Sequence, residues 1–389
     1  VRIGGDQVNW FAGNWAQGTV IGQGGGAIFA QNSNILVTSL APAQSPFMDG
    51  NLATQSGGGA ITMVTTVTGD RYLTLMNRTG TGPLVLANNA AARGGAIHMQ
   101  TGGGTGASYA YANLFNAILQ DNDAGQGGAL YLDAVGTSFV AQSNLSMQPS
   151  TVGAAGPPCP ADLRCNRIEG SQSSSSIVSV NSGGTLGRSS FSLTRGHLTG
   201  NFSPNGSLID GTGPVYIDNS VLANNAHSGS YLIGIVGHEL RIWNSTIAGN
   251  VIGADQVLAV ILVPGSMTVH NSIVYQPGKQ TRIVGSSVPS NLRNLLVNPG
   301  HGIATVAGLN IMDNLAPSFV NPGQTNFQLQ PGSQARNRWA PGGGVNVPTV
   351  DVTGGGRPAD PPGTPTPYDF GAYEYGSIVD AMFVGTFEG

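Results

Sequence analysis

Charge is scarce in this chain. Only 9% of its 389 residues are Asp, Glu, Lys or Arg, and glutamate occurs four times, at Glu169, Glu239, Glu374 and Glu388. Helix interiors draw heavily on Glu, Lys and Arg, so their shortage excludes an ordinary helical enzyme. A net charge of −4, a pI near 5.8 and no cluster of Lys or Arg exclude nucleic acid and an anionic membrane surface as main partners. Long apolar runs are absent as well: stretches such as Val257 to Val263 fall far short of the ~20 residues that cross a bilayer as a helix, so no membrane span is expected. Cysteine occurs twice, at Cys159 and Cys165 in the Pro-rich stretch GPPCPADLRCN. A disulfide there would staple a loop over 153–170, as an oxidising compartment permits, whereas zinc would need ligands that do not lie nearby. The chain opens at Val1 with neither Met nor a signal-type apolar core; the expectation is that a leader was removed or that the segment was trimmed from a longer chain.

What the chain does have is 60 Gly, 23 Pro and 40% apolar residues, the latter in short β-type runs. That much apolar surface offsets the entropy of ordering, so the composition is not that of a disordered chain. Two repeats organise it. One is a GGA-plus-strand unit, reading GGAIFAQ from Gly25, GGAITMV from Gly58, GGAIHMQ from Gly94 and GGALYLD from Gly127, at spacings of 33, 36 and 33 residues. The other is a strand, a polar turn and a second short strand: YIDNSVLANN from Tyr216, RIWNSTIAGN from Arg241 and TVHNSIVYQP from Thr268, 25 and 27 residues apart. SLTRGHLTGN from Ser192 and NLFNAILQDN from Asn113 share its outline.

A unit of this length cannot enclose a core alone, so successive coils must stack as parallel strands about 4.8 Å apart, burying Ile, Val and Leu in rows. Asparagine tolerates the left-handed backbone of the bends and stacks on its counterpart in the next coil, which assigns Asn219, Asn244 and Asn271 to a structural column. Parallel crossovers are right-handed. The expected fold is all-β: a right-handed parallel β-helix over 1–316, followed over 317–389 by a Pro/Gly-rich capping or tail segment, whose FGAYEY from Phe370 supplies aromatics for a lid. Leucine-rich and propeller repeats fit less well, because the stretches between copies are neither Leu-patterned nor long enough for four-stranded blades.

With its GGA-strand repeats and NST-I-x-x-N coils, the chain resembles the bacterial exported β-helix proteins of the choice-of-anchor and polymorphic-outer-membrane-protein-like group, which share the pectin-lyase-like fold. PSFVNPGQTNFQLQPGSQARNRW from Pro317, GRPAD from Gly356 and DFGAYE from Asp369 are similar to that group's closing pattern, with Asn337 or Arg338 where the group usually has Asp. AMFVGTFEG from Ala381 is similar to a tail on secreted proteins of Gram-negative bacteria. The resemblance implies a secreted protein, extracellular or on the cell surface of such a bacterium. It implies no activity, since the group includes adhesins and the fold also carries polysaccharide lyases.

Aligning the second repeat places Asp218, Trp243 and His270 in one outward column and Tyr216 and Arg241 in another. Such a face suits a sugar: Trp243 or Tyr216 against the ring, Arg241 on a carboxylate, Asp218 or His270 moving a proton. Cross-strand pairs on a solvated sheet face would look the same. No matched carboxylate pair for hydrolysis stands out. Asp121, Asp123 and Asp133 form the densest acidic group and are calcium candidates, though an Asp-Gly turn gives the same pattern; no other cofactor is implied. The leading expectation is therefore a non-catalytic extracellular structural or adhesive scaffold whose partners are a surface glycan or further copies of itself, end to end. The alternatives are a polysaccharide lyase or glycoside hydrolase using Asp218, Arg241 and His270, and a glycan-binding module using Tyr216 and Trp243.

Overall fold

The computed structural model describes residues 2–5, 11–17, 24–39, 48–55, 57–77, 83–102, 104–149, 166–253, 256–261, 267–276, 282–284, 291–301, 308–313, 315–340, 347–359 and 367–377. Cys159, Cys165 and the AMFVGTFEG stretch lie outside them. The protein is an all-β parallel β-helix, with no α-helix among the described residues. Among the described residues the coils run through three sheets: a 19-stranded sheet A, to which most coils give two strands, a short 8-stranded sheet B that stops at Val251–Ile252, and a 9-stranded sheet C.

The two sequence repeats are different parts of the same coil. The GGA units lead into sheet C, where Ile28, Ile61, Ile97 and Leu130 occupy successive rungs. Their second glycines, Gly26, Gly59, Gly95 and Gly128, stack so closely that a Cβ on any of the first three would run into the next glycine's carbonyl oxygen. The N-S-x-I-x-x-N units turn from sheet A into sheet B. Asn116, Asn219, Asn244, Asn271, Asn294 and Asn310 all sit at positive φ, between 48° and 54°, and bend sheet A in mid-course. After that bend the inward and outward positions are reset: Leu222, Ile247 and Val274 point into the core, flanked by outward Val221 and Ala223 on the first of these strands.

The Asn219, Asn244 and Asn271 column stacks in part. Asn271 donates to Asn244 at 3.0 Å and Asn294 to Asn271 at 2.8 Å, but Asn244 donates to Asp218 and Asn219 to the Val350 carbonyl. The long inward ladder runs instead through the residue that ends each unit. Asn14, Asn51, Asn89 and Asn122 are linked side chain to side chain at 2.8–2.9 Å; Ser171 continues the series, followed by Asn201, Asn225, Asn250, Gln276 and Asn298. Asn225 shows why the type is needed. Its Oδ1 accepts the Asn201 N–H and Nδ2, while its own Nδ2 donates to the Leu198 carbonyl and to Asn250 Oδ1, so one buried amide satisfies groups of three coils. Ser220, Ser245 and Ser272 make a parallel hydroxyl ladder at 3.1 Å spacing of N–H to Oγ.

The segment from Pro317 lies along the flank of the coils and not across their end. Its Phe327, Val352, Ala372 and Tyr373 cover the outward Val221, Ala223 and Ala248, and its Leu329, Trp339, Tyr368 and Phe370 cover Ile273 and Leu296. Backbone bonds fix the contact, among them Gly371 N–H to the Asn271 carbonyl at 2.8 Å. Inside the segment the GRPAD and DFGAYE motifs meet: Arg357 Nε donates to Glu374 Oε2 at 2.8 Å and its Nη2 to the Gly371 carbonyl at 2.8 Å, with Asp369 and Asp351 buried beside them. Burial, opposed by Arg357 and reinforced by Asp369, pushes the Glu374 carboxyl up to about 7.

Two outcomes follow for stability. Asn225→Ala strands several buried polar groups and lowers the unfolding free energy by about 3 kcal/mol, while Asn224→Gly, at φ 55°, leaves it nearly unchanged; equal losses in denaturant titrations would sink the distinction between the two adjacent asparagines. Arg357→Leu removes the partner of buried carboxylates and costs roughly 3–5 kcal/mol at pH 8, read as protease release of the C-terminal segment. Because the folded pKa of Glu374 is raised, its unfavourable charging is relieved as pH falls below about 7, so the loss must shrink at pH 5.

Candidate functional site

Parallel pairing carries the expected columns onto one face. Ser192, Tyr216, Arg241 and Thr268 are successive rung partners on sheet A, as are Thr194, Asp218, Trp243 and His270. Side chains inward of them, Leu193, Ile217, Ile242 and Val269, are fully buried, which fixes the outward direction of the others.

The guanidinium of Arg241 lies 4.6 Å from the Tyr216 ring centroid and 4.4 Å from that of Trp243. It makes no ion pair within 4.0 Å to any carboxylate among the described residues. Two aromatic faces therefore orient a cation whose in-plane donors remain available for an anion. Trp243 stacks in turn on His270, at 6.0 Å with 5° between the planes. Tyr216 donates its hydroxyl to Glu239 at 3.3 Å. Asp218 accepts from Asn244 at 3.2 Å; burial raises its carboxyl, opposed by that bond and by the charges of Arg241 and Arg357.

His270 is 8% exposed, and both its ring nitrogens and the Trp243 Nε1 are buried without a hydrogen-bond partner. Burial, with the neighbouring Arg293 charge, lowers its pKa to about 4. A neutral imidazole closed off from water is a stacking surface and not a proton shuttle.

The same face continues to a second aromatic group that the repeats did not single out. Tyr72 and Tyr111 stack at 5.5 Å and Tyr109 and Tyr111 at 6.3 Å, with Tyr72 43% exposed. Beside them a depression of about 350 Å³ is floored by Asn113, Asn144, Ser146, Ser190 and Ser192. Asn113, Ser146, Ser192, Tyr216 and Arg241 follow one another rung by rung. Tyrosines at one end, amides and hydroxyls between and Arg241 with its two rings at the other span six rungs, roughly 24 Å over five spacings of about 4.8 Å. The alternation in GDRYLTLMN and SYAYANLF was the signal for the missed end.

The calcium candidates are not brought together. Asp121 sits at a left-handed corner after sheet A, where Gln120 donates to it at 3.0 Å; Asp123 is exposed on sheet B, and Asp133 stands on sheet C. Among the described residues no group of three or more His, Cys, Asp or Glu is placed to hold a metal ion.

The His270 geometry gives a pH outcome. Its folded pKa of about 4 lies below the ordinary histidine value of 6.5, so the unfolded chain binds the proton first, and this group's share of stability is present above pH 6.5 and lost as pH falls towards 4. Glu374 acts in the opposite sense over part of that window, so the readout is the difference from His270→Phe, which keeps the stack on Trp243 and cannot titrate. That difference must grow in the variant's favour between pH 6.5 and 4, and a constant difference would show that the imidazole is not enclosed. Compared with known proteins, the chain matches no family model, no curated protein and no solved structure, so the resemblance drawn from its repeats rests on those motifs alone.

Proposed function

We propose that this chain is a non-catalytic extracellular β-helix of the adhesive kind, which holds an extended acidic glycan along the outward face of sheet A. The observation that carries the reading is Arg241, clamped between Tyr216 and Trp243 at 4.6 and 4.4 Å with no ion pair to a described carboxylate. A guanidinium held this way presents a preorganised fork to a carboxylate, and the flanking rings suit the apolar faces of pyranoses. The chemistry of the face supports binding over turnover. Asp218 is held by Asn244 and Glu239 by Tyr216, and His270 is sealed, so the groups that would have to exchange protons with a substrate are already engaged or enclosed. A face of small polar side chains between two aromatic ends favours a long ligand over a single ring, because each rung offers one similar contact. Low charge, stacked coils and a clasped tail fit service outside the cell, where resistance to proteolysis is needed.

Affinity electrophoresis and calorimetry with a polyuronate and a neutral glucan test the reading. The polyuronate is expected to bind, and Arg241→Ala and Trp243→Ala to weaken it at least about tenfold each, ~1.4 kcal/mol, with Arg241→Lys recovering only part. Release of unsaturated or reducing ends from the polymer would replace adhesion by catalysis, and equal binding of the neutral glucan would remove the role given to Arg241.

A further inference from the structure

Sheet C carries a second outward feature, of opposite electrostatic character. Tyr131, Ser179, Asp210 and Gly234 occupy successive rungs there, with Asn181 two residues along from Ser179. Loop residues 205–207 and 229–231 lead into the same strands, and together with them enclose an open cleft of about 500 Å³. Gly234 makes room in it. A Cβ at that position would come within 2.9 Å of the Tyr231 ring, so the missing side chain lets the ring lie against the strand as one wall.

Asp210 is the charge in this space. Its Oδ1 accepts from Ser179 Oγ at 3.1 Å, and burial raises its carboxyl, opposed only by the Ser176 and Ser179 hydroxyls. The cleft lining contains no Lys, Arg or His among the described residues. Asp133, two rungs away on the same sheet, differs in this respect, since the Arg93 charge opposes the rise in its pKa. Arg93 itself lies 5.1 Å over the Tyr131 ring, on which His98 also packs edge-on at 5.3 Å. Tyr131 is thereby fixed from behind and shares a side-chain hydrogen bond with Asn181. A carboxylate without a cation, an aromatic wall, and a floor of hydroxyl and amide groups are the complement of a polyhydroxylated ring bearing a positive charge.

We infer that the sheet C cleft binds a single amino-sugar ring with a free, protonated amine: the ring against Tyr231, hydroxyls on Ser179 and Asn181, and the ammonium on Asp210. The site is independent of the acidic-glycan face, from which it differs in sheet, in the sign of its charge and in every residue named. A uronate is repelled by Asp210, and an acetylated amine gives up the charge that Asp210 selects.

The test is saturation-transfer NMR and calorimetry on the full chain with glucosamine, N-acetylglucosamine, glucose and glucuronate as probes. Glucosamine is expected to bind at least about tenfold more tightly than the other three. Asp210→Asn keeps an acceptor for Ser179 and so the fold, checked by an unchanged unfolding midpoint, and must reduce glucosamine to the level of glucose. Tyr231→Ala, which changes only the wall, must weaken all ring binding. Trp243→Ala must leave glucosamine binding intact, which separates this site from the sheet A face. Equal affinity for glucose and glucosamine, no binding of either, or an Asp210→Asn variant that binds glucosamine as before would overturn the assignment.

Discussion

A parallel β-helix has to bend its chain several times per coil without leaving buried amides unpaired, and here the inward amide ladder meets that constraint. Each member, such as Asn201, Asn225 or Asn250, takes up backbone and side-chain groups from the coils on either side. An amide is the smallest side chain that both donates twice and accepts twice, so neither a carboxylate nor a hydroxyl alone replaces it at every rung. Where a serine does appear, at Ser171, the bridge is made through backbone N–H groups only. The ladder also pins register. A coil slipped by one residue would put an apolar side chain into the series and strand the amides on both sides, and so every outward column owes its alignment to this interior row.

Much of the fold was legible because register is integral. Spacings of 33, 36 and 33 residues between GGA units, and of 25 and 27 between the later units, are rung-to-rung distances, and they align Ile28 with Ile61, Ile97 and Leu130, and Tyr216 with Arg241 and Thr268. Spacing does not say which of two asparagines points inward. Asn219 and Asn225 recur equally well, yet the first is a left-handed bend with a partial stack and the second is the ladder. A left-handed residue resets the alternation of the strand, and that is why Val221, Ala223 and Ala248 could not be recognised as an outward apolar strip from the sequence. Their outward direction explains the course of the C-terminal segment: an apolar strip on the flank needs a cover, and Phe327, Val352, Ala372 and Tyr373 bury it.

The candidate face on sheet A was legible for the same reason as the coils, and incomplete for another. Tyr216, Asp218, Arg241, Trp243 and His270 belong to units similar enough to align by eye. Tyr72, Tyr109 and Tyr111 stand in coils whose sheet A strands have drifted from that pattern: Tyr72 and Tyr111 are rung partners two residues before the column of Asn113, Tyr216 and Arg241, and Tyr109 pairs with Asp70. The sheet C cleft was illegible, since Tyr131 belongs to a GGA unit, Asp210 to none, and Tyr231 to a loop. Enclosure was illegible as well: the burial that depresses His270 depends on neighbours that no spacing displays.

The low charge of the chain follows from the same stacking. In a parallel sheet every outward side chain has a neighbour directly above and below at about 4.8 Å, where two like charges repel by roughly 1 kcal/mol in water and several times that near a partly buried surface. Across the paired rungs of the described residues no two like charges are partners: Arg188 faces Gln142, Asp123 faces Ala90 and Gln172, Glu169 faces Gln120 and Thr199, Asp210 faces Ser179 and Gly234, and Arg241 faces Tyr216 and Thr268. The nearest approaches are two Arg–His rungs, Arg167 against the buried His197 and Arg293 against His270, whose imidazole is held neutral. A charged residue in such a column must therefore be bracketed by neutral ones, and rings are good brackets because they also shield and orient it. Arg241, with neutral Tyr216 and Thr268 above and below it and Trp243 beside it on its own strand, is first a solution to this repulsion problem. The arrangement that lets a β-helix tolerate a cation is the same one that presents it, singly and at a fixed height, on the outward face, and the proposal of an anionic ligand there rests on it.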